Sequence, residues 1–137
     1  MLDTLGLQFR RLSLPEDYAA CVELQELTWG AGFAERVPTS ILMVAQKVGG
    51  VSAGAFDPKD NALVGFVFGI TGVKEGRLVH WSDMLAVLPE YRDKGLGRAL
   101  KLYPRELCLD VDVEVVYWTF DPLDSRNANL NINKRGA

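Results

Sequence analysis

The sequence predicts an α/β (α+β) domain in which a mixed central sheet is flanked by helices. Two observations carry that reading. Segments whose apolar residues recur at helical spacing alternate with short runs rich in β-branched and aromatic residues. In addition, residues 84–101 read as strand, glycine turn and helix in immediate succession. The chain has 137 residues, 48% hydrophobic and 24% charged, which suits one soluble globular domain with a sizeable core.

Residues 7–12 form the first strand. Ser13 is the expected N-cap of the helix that follows, with Glu16 reaching back in a capping box. Ala20, Cys21, Leu24 and Leu27 then share one helical face to about Thr28. Trp29-Gly-Ala-Gly-Phe33 is a loop whose aromatics clasp the core or cover a ligand. Pro38 opens a second helix carrying Ile41, Leu42, Ala45 and Val48, and Gly49-Gly50 stops it. Strands over 51–56 and 62–71 are joined by a turn of Asp57, Pro58 and Asn61. The second of them is apolar nearly throughout and should be central, covered on both faces. Gly72 to Gly76 turns the chain into a third strand, Arg77 to Leu88. A helix from Leu96 to about Leu109 contains Pro104, which should kink or divide it. A strand over 113–120 follows, and Leu123 to Lys134 reads as a final helix capped by Asp124 or Ser125.

The chemistry concentrates between Met84 and Lys101. Pro89 ends an apolar strand, and Arg92-Asp93-Lys94-Gly95-Leu96-Gly97 leads into a helix whose apolar face is Leu96, Ala99, Leu100, Tyr103 and Leu107. The first amides of a helix lack internal partners and lie at the positive end of its dipole, so this is where an anion binds. Arg92, Lys94 and Arg98 add full charges, and a phosphate-bearing ligand is implied. A dinucleotide fingerprint would need a third glycine where Leu100 stands; a Walker loop would need Lys-Ser/Thr where Arg98-Ala99 follow Gly97.

What remains, Arg-x-x-Gly-x-Gly behind Leu-Ala-Val-Leu-Pro-Glu-Tyr, resembles the acyl-CoA pyrophosphate loop of the GNAT acetyltransferase superfamily. The predicted element order β-α-α-β-β-β-α-β-α resembles that family's over nearly the whole chain, lacking its last two strands. The resemblance therefore implies a single acyltransferase-like domain over 1–137, truncated at its C-terminus, or one whose uncovered sheet edge a partner such as a second copy completes, or one whose fold closes differently. Trp118 to Ala128 also resembles a subgroup of predicted acetyltransferases with no assigned acceptor.

The resemblance implies acetyl-CoA (acyl-CoA) as co-substrate and a small-molecule or protein amine as acceptor, attacked directly in a ternary complex. Backbone groups of Leu85, Ala86 and Val87 would pair with the pantetheine arm. Amides of Arg92, Asp93, Lys94, Gly95, Leu96, Gly97 and Arg98 would hold the pyrophosphate, with Asn127 a further cofactor contact. A backbone amide near Leu85 would polarise the thioester carbonyl. The loop at 29–33 would be a lid over the acceptor. Where the family places a general-acid Tyr, alignment of Lys134 and Gly136 puts Ile132. A second reading is thus a module that binds acyl-CoA, or a protein partner, without catalysis.

His80 and Asp83 are the candidate bases, three strand positions apart and so expected on opposite faces. His80 is equally a strand residue with a satisfied hydrogen bond. Asp83 recognises a cationic acceptor or serves structurally. Trp81, Tyr117 and Trp118 read as core or pocket wall. With one His and no Cys/His cluster no metal site is expected, and Cys21 and Cys108 read as reduced core residues. A net charge of −3 without a broad basic face argues against nucleic acid. No apolar run is long enough to span a bilayer, and Met-Leu-Asp-Thr-Leu-Gly lacks the basic n-region of a signal peptide, so a cytoplasmic location is expected.

Overall fold

A computed structural model describes residues 6–109, 111–119 and 127–131. The elements run β1 (Gln8–Arg11), α1 (Pro15–Trp29), α2 (Thr39–Lys47), β2 (Val51–Asp57), β3 (Ala62–Lys74), β4 (Arg77–Val87), a 3-10 turn (Pro89–Tyr91), α3 (Leu96–Cys108), β5 (Val115–Thr119) and β6 (Asn127–Asn131). The six strands lie in one sheet in chain order, all neighbours antiparallel except β4 and β5, which run parallel. The sheet is therefore mixed, as expected.

Alternation along the strands sorts side chains to two faces. Phe56, Phe66, Phe68 and Ala86 meet Leu12, Tyr18, Cys21, Leu24, Leu42 and Ala45 under α1 and α2. Phe9, Val64, Val67 and Val87 meet Leu96 and Leu100 of α3 on the other face. Residues 64–69 of β3 are buried without a break, which is the central, doubly covered strand that its composition predicts. Helix α3 approaches very closely at Gly65, where a Cβ would stand 2.8 Å from Leu100 Cδ1. That contact sets the height of the α3 N-terminus above the sheet.

Several expectations need correction. The cap of α1 is not the Ser13/Glu16 pair: Leu14 is the N-cap, and buried Asp17 accepts from the amides of Ser13 at 2.9 Å and Leu14 at 3.1 Å. Asp17 does so while paired with Arg10 at 2.8 and 3.1 Å, a tertiary partner that local spacing does not reveal. Leu27, assigned to the buried face, is 68% exposed, as are Ile41 and Val48 of α2 in large part. Strand β3 runs on to Lys74, and the turn contracts to Glu75-Gly76, both at positive φ. A two-residue turn of that kind matches the twist of a hairpin. Pro104 is accommodated inside one continuous, buried-faced helix.

The last correction concerns the predicted helix from Leu123 to Lys134. Asn127–Asn131 is a strand, antiparallel to β5 with Ala128 opposite Trp118. Its alternation of Asn with Ala and Leu has the period of a strand, and Asn is a poor helix former. The remainder of that predicted helix lies outside the described residues. Because β6 pairs with β5, the edge of β5 expected to stand uncovered is taken within the chain.

Candidate active site

The site grows out of β4. From Val79 to Ser82 this strand is held on both sides, by β3 and by β5. At Asp83 the register slips: Met84 faces Phe68 and Ser82 faces Gly69, leaving Asp83 as an extra residue. Such a bulge bends and twists its strand. Beyond it β4 continues along β3 to Val87, but among the described residues nothing pairs with its other side.

The direction of the free groups follows from one bond. Leu88 N–H donates to Val64 O at 2.9 Å, toward β3. Backbone groups alternate along a strand. Those of Ala86 and Met84 therefore also face β3, and those of Leu85 and Val87 face the open side. Val87 O accepts from Arg92 Nε at 3.2 Å, which agrees with that direction.

This open edge runs into the α3 turn. The 3-10 turn is closed by Tyr91 N–H to Leu88 O at 2.9 Å and Arg92 N–H to Pro89 O at 3.2 Å. Asp93 at φ +61° and Gly95 at φ +84° then wind the chain into α3, with Gly95 as N-cap. The first α3 amide bonded back to the turn is that of Ala99, to Gly95 O at 3.1 Å. Among the described residues, the amides of Leu96, Gly97 and Arg98 reach no acceptor. They are the unpaired donors that a helix start must present. Arg92, Lys94 and Arg98 are exposed around them. A cleft of about 440 Å³ joins the two features, lined by Thr28, Trp29, Leu85, Ala86, Val87, Arg92, Asp93 and Gly97. A Cβ at Gly97 would still be 3.9 Å from its nearest neighbour, Leu85 Cδ2, so the floor of the cleft is open at that point.

The site thus combines a strand edge unpaired among the described residues, uncapped helix-start amides and exposed cations. The model of the acetyltransferase (GNAT) family matches residues 18–130. The chain belongs to the GNAT acetyltransferase family. Solved structures agree on the fold. A Trypanosoma brucei acetyltransferase superposes with TM-score 0.68 at 23% identity, over 85% of this chain and 84% of its own. An aminoglycoside acetyltransferase from an uncultured soil metagenomic sample, in complex with sisomicin, gives 0.69 at 18% identity over 87% and 80%. An aminoglycoside 6'-N-acetyltransferase complexed with coenzyme A gives 0.68 at 18% identity over 86% and 64%. No curated protein matches the sequence.

Within this N-acetyltransferase the residues expected to bind the donor separate into groups. Leu85, Ala86, Val87, Arg92, Asp93 and Gly97 come together in one cleft, and Lys94, Gly95, Leu96 and Arg98 adjoin it in the turn and first helical residues. Two refinements follow from the bonds. The backbone of Ala86 faces β3, so of the three strand residues only Leu85 and Val87 present groups outward. The Arg92 amide is already used by Pro89 O, which leaves its side chain as the available group. The Leu96 side chain is buried in the core, so that residue offers its amide alone. Asn127 stands in β6 opposite Thr119 rather than on a helix. Ile132, Lys134 and Gly136 lie outside the described residues.

His80 and Asp83 part company. His80 is 0% exposed, on the α3 side of the sheet opposite Val116, and is absent from the cleft lining. Thr71 Oγ1 donates to Gly49 O at 2.8 Å, so its lone pair receives the Nδ1–H of His80 at 2.9 Å. That network fixes the tautomer and leaves Nε2 an acceptor without a partner among the described residues. Burial, helped by the Arg11 charge, pulls the pKa of His80 down to about 4. Asp83 is likewise absent from the cleft lining; it is exposed by area yet crowded at the bulge, where desolvation and then the nearby Glu35 charge raise its carboxyl pKa.

Sequence reasoning missed Thr28 as part of the cleft wall, whereas Trp29 was expected to clasp the core or cover a ligand. Trp29 stacks on Phe33 (centroids 5.2 Å apart) and meets Phe66 edge-on at 6.5 Å, so the loop both clasps the core and borders the cleft. The fully buried Gln25 amide holds this loop, giving Nε2–H to Val37 O at 3.0 Å and accepting Val37 N–H at 2.7 Å. The signal available was a polar residue one position from Leu24 on the apolar face of α1.

Proposed function

We propose that this acetyltransferase moves an acetyl group from acetyl-CoA directly to an amine, both substrates being held at once. The observation that carries the reading is the junction of the open β4 edge with the uncapped start of α3. The residues there fit the donor: outward groups of Leu85 and Val87 suit an extended amide-bearing arm, and amides 96–98 with Arg92, Lys94 and Arg98 suit a diphosphate. Bound acetyl-CoA supplies an acetyl thioester with a good leaving group. Thr28 and Trp29 wall the cleft. Holding two reactants side by side removes much of the entropic barrier to their meeting.

An amine must lose a proton to attack. Asp83 stands at the bulge, two residues before the outward amide of Leu85, with a raised pKa that makes its carboxylate a better base. His80, buried and already engaged by Thr71, is the less suited of the two. Asp83 and Glu35 also place negative charge where a cationic amine would approach. Two of the structural neighbours being aminoglycoside acetyltransferases supports a small cationic acceptor.

The test is thiol release from acetyl-CoA across a panel of amines. The expected result is release with at least one amine, lowered about 10²-fold or more in Asp83→Asn while coenzyme A affinity stays unchanged. Tight acetyl-CoA binding with no release for any amine would replace this reading with that of a non-catalytic acyl-CoA-binding module.

A further inference from the structure

Val87 O and the Arg92 side chain meet where the open edge of β4 reaches the α3 turn. Val87 O is one of only two outward carbonyls, with that of Leu85, that the strand offers beyond its bulge. A chain adding to this edge needs such acceptors for its own amides. Yet Arg92 Nε already donates to Val87 O at 3.2 Å.

The guanidinium is a poor match for that place. It is a full positive charge on a neutral acceptor, and among the described residues it pairs with no carboxylate. The turn beneath it does not depend on it. Tyr91 N–H to Leu88 O and Arg92 N–H to Pro89 O close the turn through backbone alone. The side chain can therefore leave Val87 without unwinding the loop. An anion at the start of α3 would draw it away, because phosphate oxygens offer the guanidinium an opposite full charge and paired acceptors, where Val87 O offers one neutral acceptor.

We propose that Arg92 is a two-position lock on the donor groove. With the groove empty its guanidinium occupies Val87 O; a diphosphate at the α3 turn takes the guanidinium over and frees that carbonyl for an amide of the entering arm. The lock rests on the reading of this cleft as the donor site. Its consequence is selective. A donor that carries the diphosphate releases Arg92 with its own charge, whereas the same amide arm without phosphate must compete with Arg92 for Val87 O.

Opposite signs in one variant test it. Acetyl-CoA and S-acetyl-pantetheine, which keeps the amide arm and lacks the diphosphate, are titrated into wild type and Arg92→Ala, with affinity read by NMR shifts or calorimetry. Arg92→Ala should weaken acetyl-CoA about tenfold or more and tighten S-acetyl-pantetheine about two- to tenfold, the worth of one exposed hydrogen bond. Weakening of both ligands, or no change for S-acetyl-pantetheine, overturns the lock while leaving the donor site intact. Failure of wild type to bind acetyl-CoA overturns the donor site and the lock together. Should Arg92→Ala melt without ligand well below wild type, Arg92→Lys serves instead. It keeps the charge and lacks Nε, so S-acetyl-pantetheine should again tighten while acetyl-CoA stays within a few-fold.

Discussion

The two ends of β4 are treated in opposite ways. Residues 79–82 are clamped between β3 and β5, and residues 84–87 are held, among the described residues, by β3 alone. The difference begins at one residue, Asp83, whose insertion shifts the register where pairing with β5 stops. At the clamped end a histidine is sealed into the sheet, and at the free end backbone groups remain available. One strand is thus core at its start and an open edge at its finish. Glycines mark both regimes: Gly69 exists because no side chain fits, and Gly97 because the space beside it is kept free.

Ways to break that contrast can be ranked by size. At the clamped end, a Cβ on Gly69 would overlap the His80 ring and stand 2.8 Å from Trp81 O. Gly69→Ala should destabilise by about 3 kcal/mol, measured by urea unfolding, because backbone and ring must shift together. An effect below about 1 kcal/mol would mean that this end is not tightly packed.

The sealed histidine gives a pH signature of similar size. Its folded pKa of about 4 lies below the ordinary 6.5, so the unfolded chain binds the extra proton across that window. Stability should be fully present above pH 6.5 and fall by about 3 kcal/mol as pH drops toward 4. His80→Asn should flatten that slope. Asp17 acts lower still. Desolvation raises its carboxyl pKa, but the Arg10 bond and the Ser13 and Leu14 amides outweigh this and hold it at about 2, so its share is lost only below pH 3.8.

At the free end the smallest effect is expected. Gly97→Ala meets nothing closer than 3.9 Å and sits in a helix, so stability should change by less than about 1 kcal/mol, in the stabilising direction. Side by side, Gly69→Ala and Gly97→Ala read the two ends of β4 with the same added methyl group.

Much of this was legible in the residues. The β-branched, aromatic run of β3 announced a doubly buried strand, and Pro89, Gly95 and Gly97 announced the turn and the helix start. What escaped depends on contacts remote in sequence. Arg10 recruits Asp17 as the α1 cap, Gln25 ties down Val37, and the bulge at Asp83 is a property of two strands together. The strand at Asn127–Asn131 is a different case. Its alternating pattern was present, but Asp124 and Ser125 just before it offered the cap of a helix. Likewise, which of Leu85, Ala86 and Val87 faces outward is decided by the register with β3, invisible in a single strand.

The central claim is that the free end of β4 and the start of α3 together bind acetyl-CoA. Thermal melting with and without acetyl-CoA, for wild type and Gly97→Trp, tests it most directly. At a ligand concentration of about a hundred times Kd, wild type should gain about 2.7 kcal/mol and melt about 8 °C higher. Gly97→Trp, its indole set into the cleft floor, should show no rise. An unchanged melt for wild type, or an equal rise in both proteins, would contradict the account.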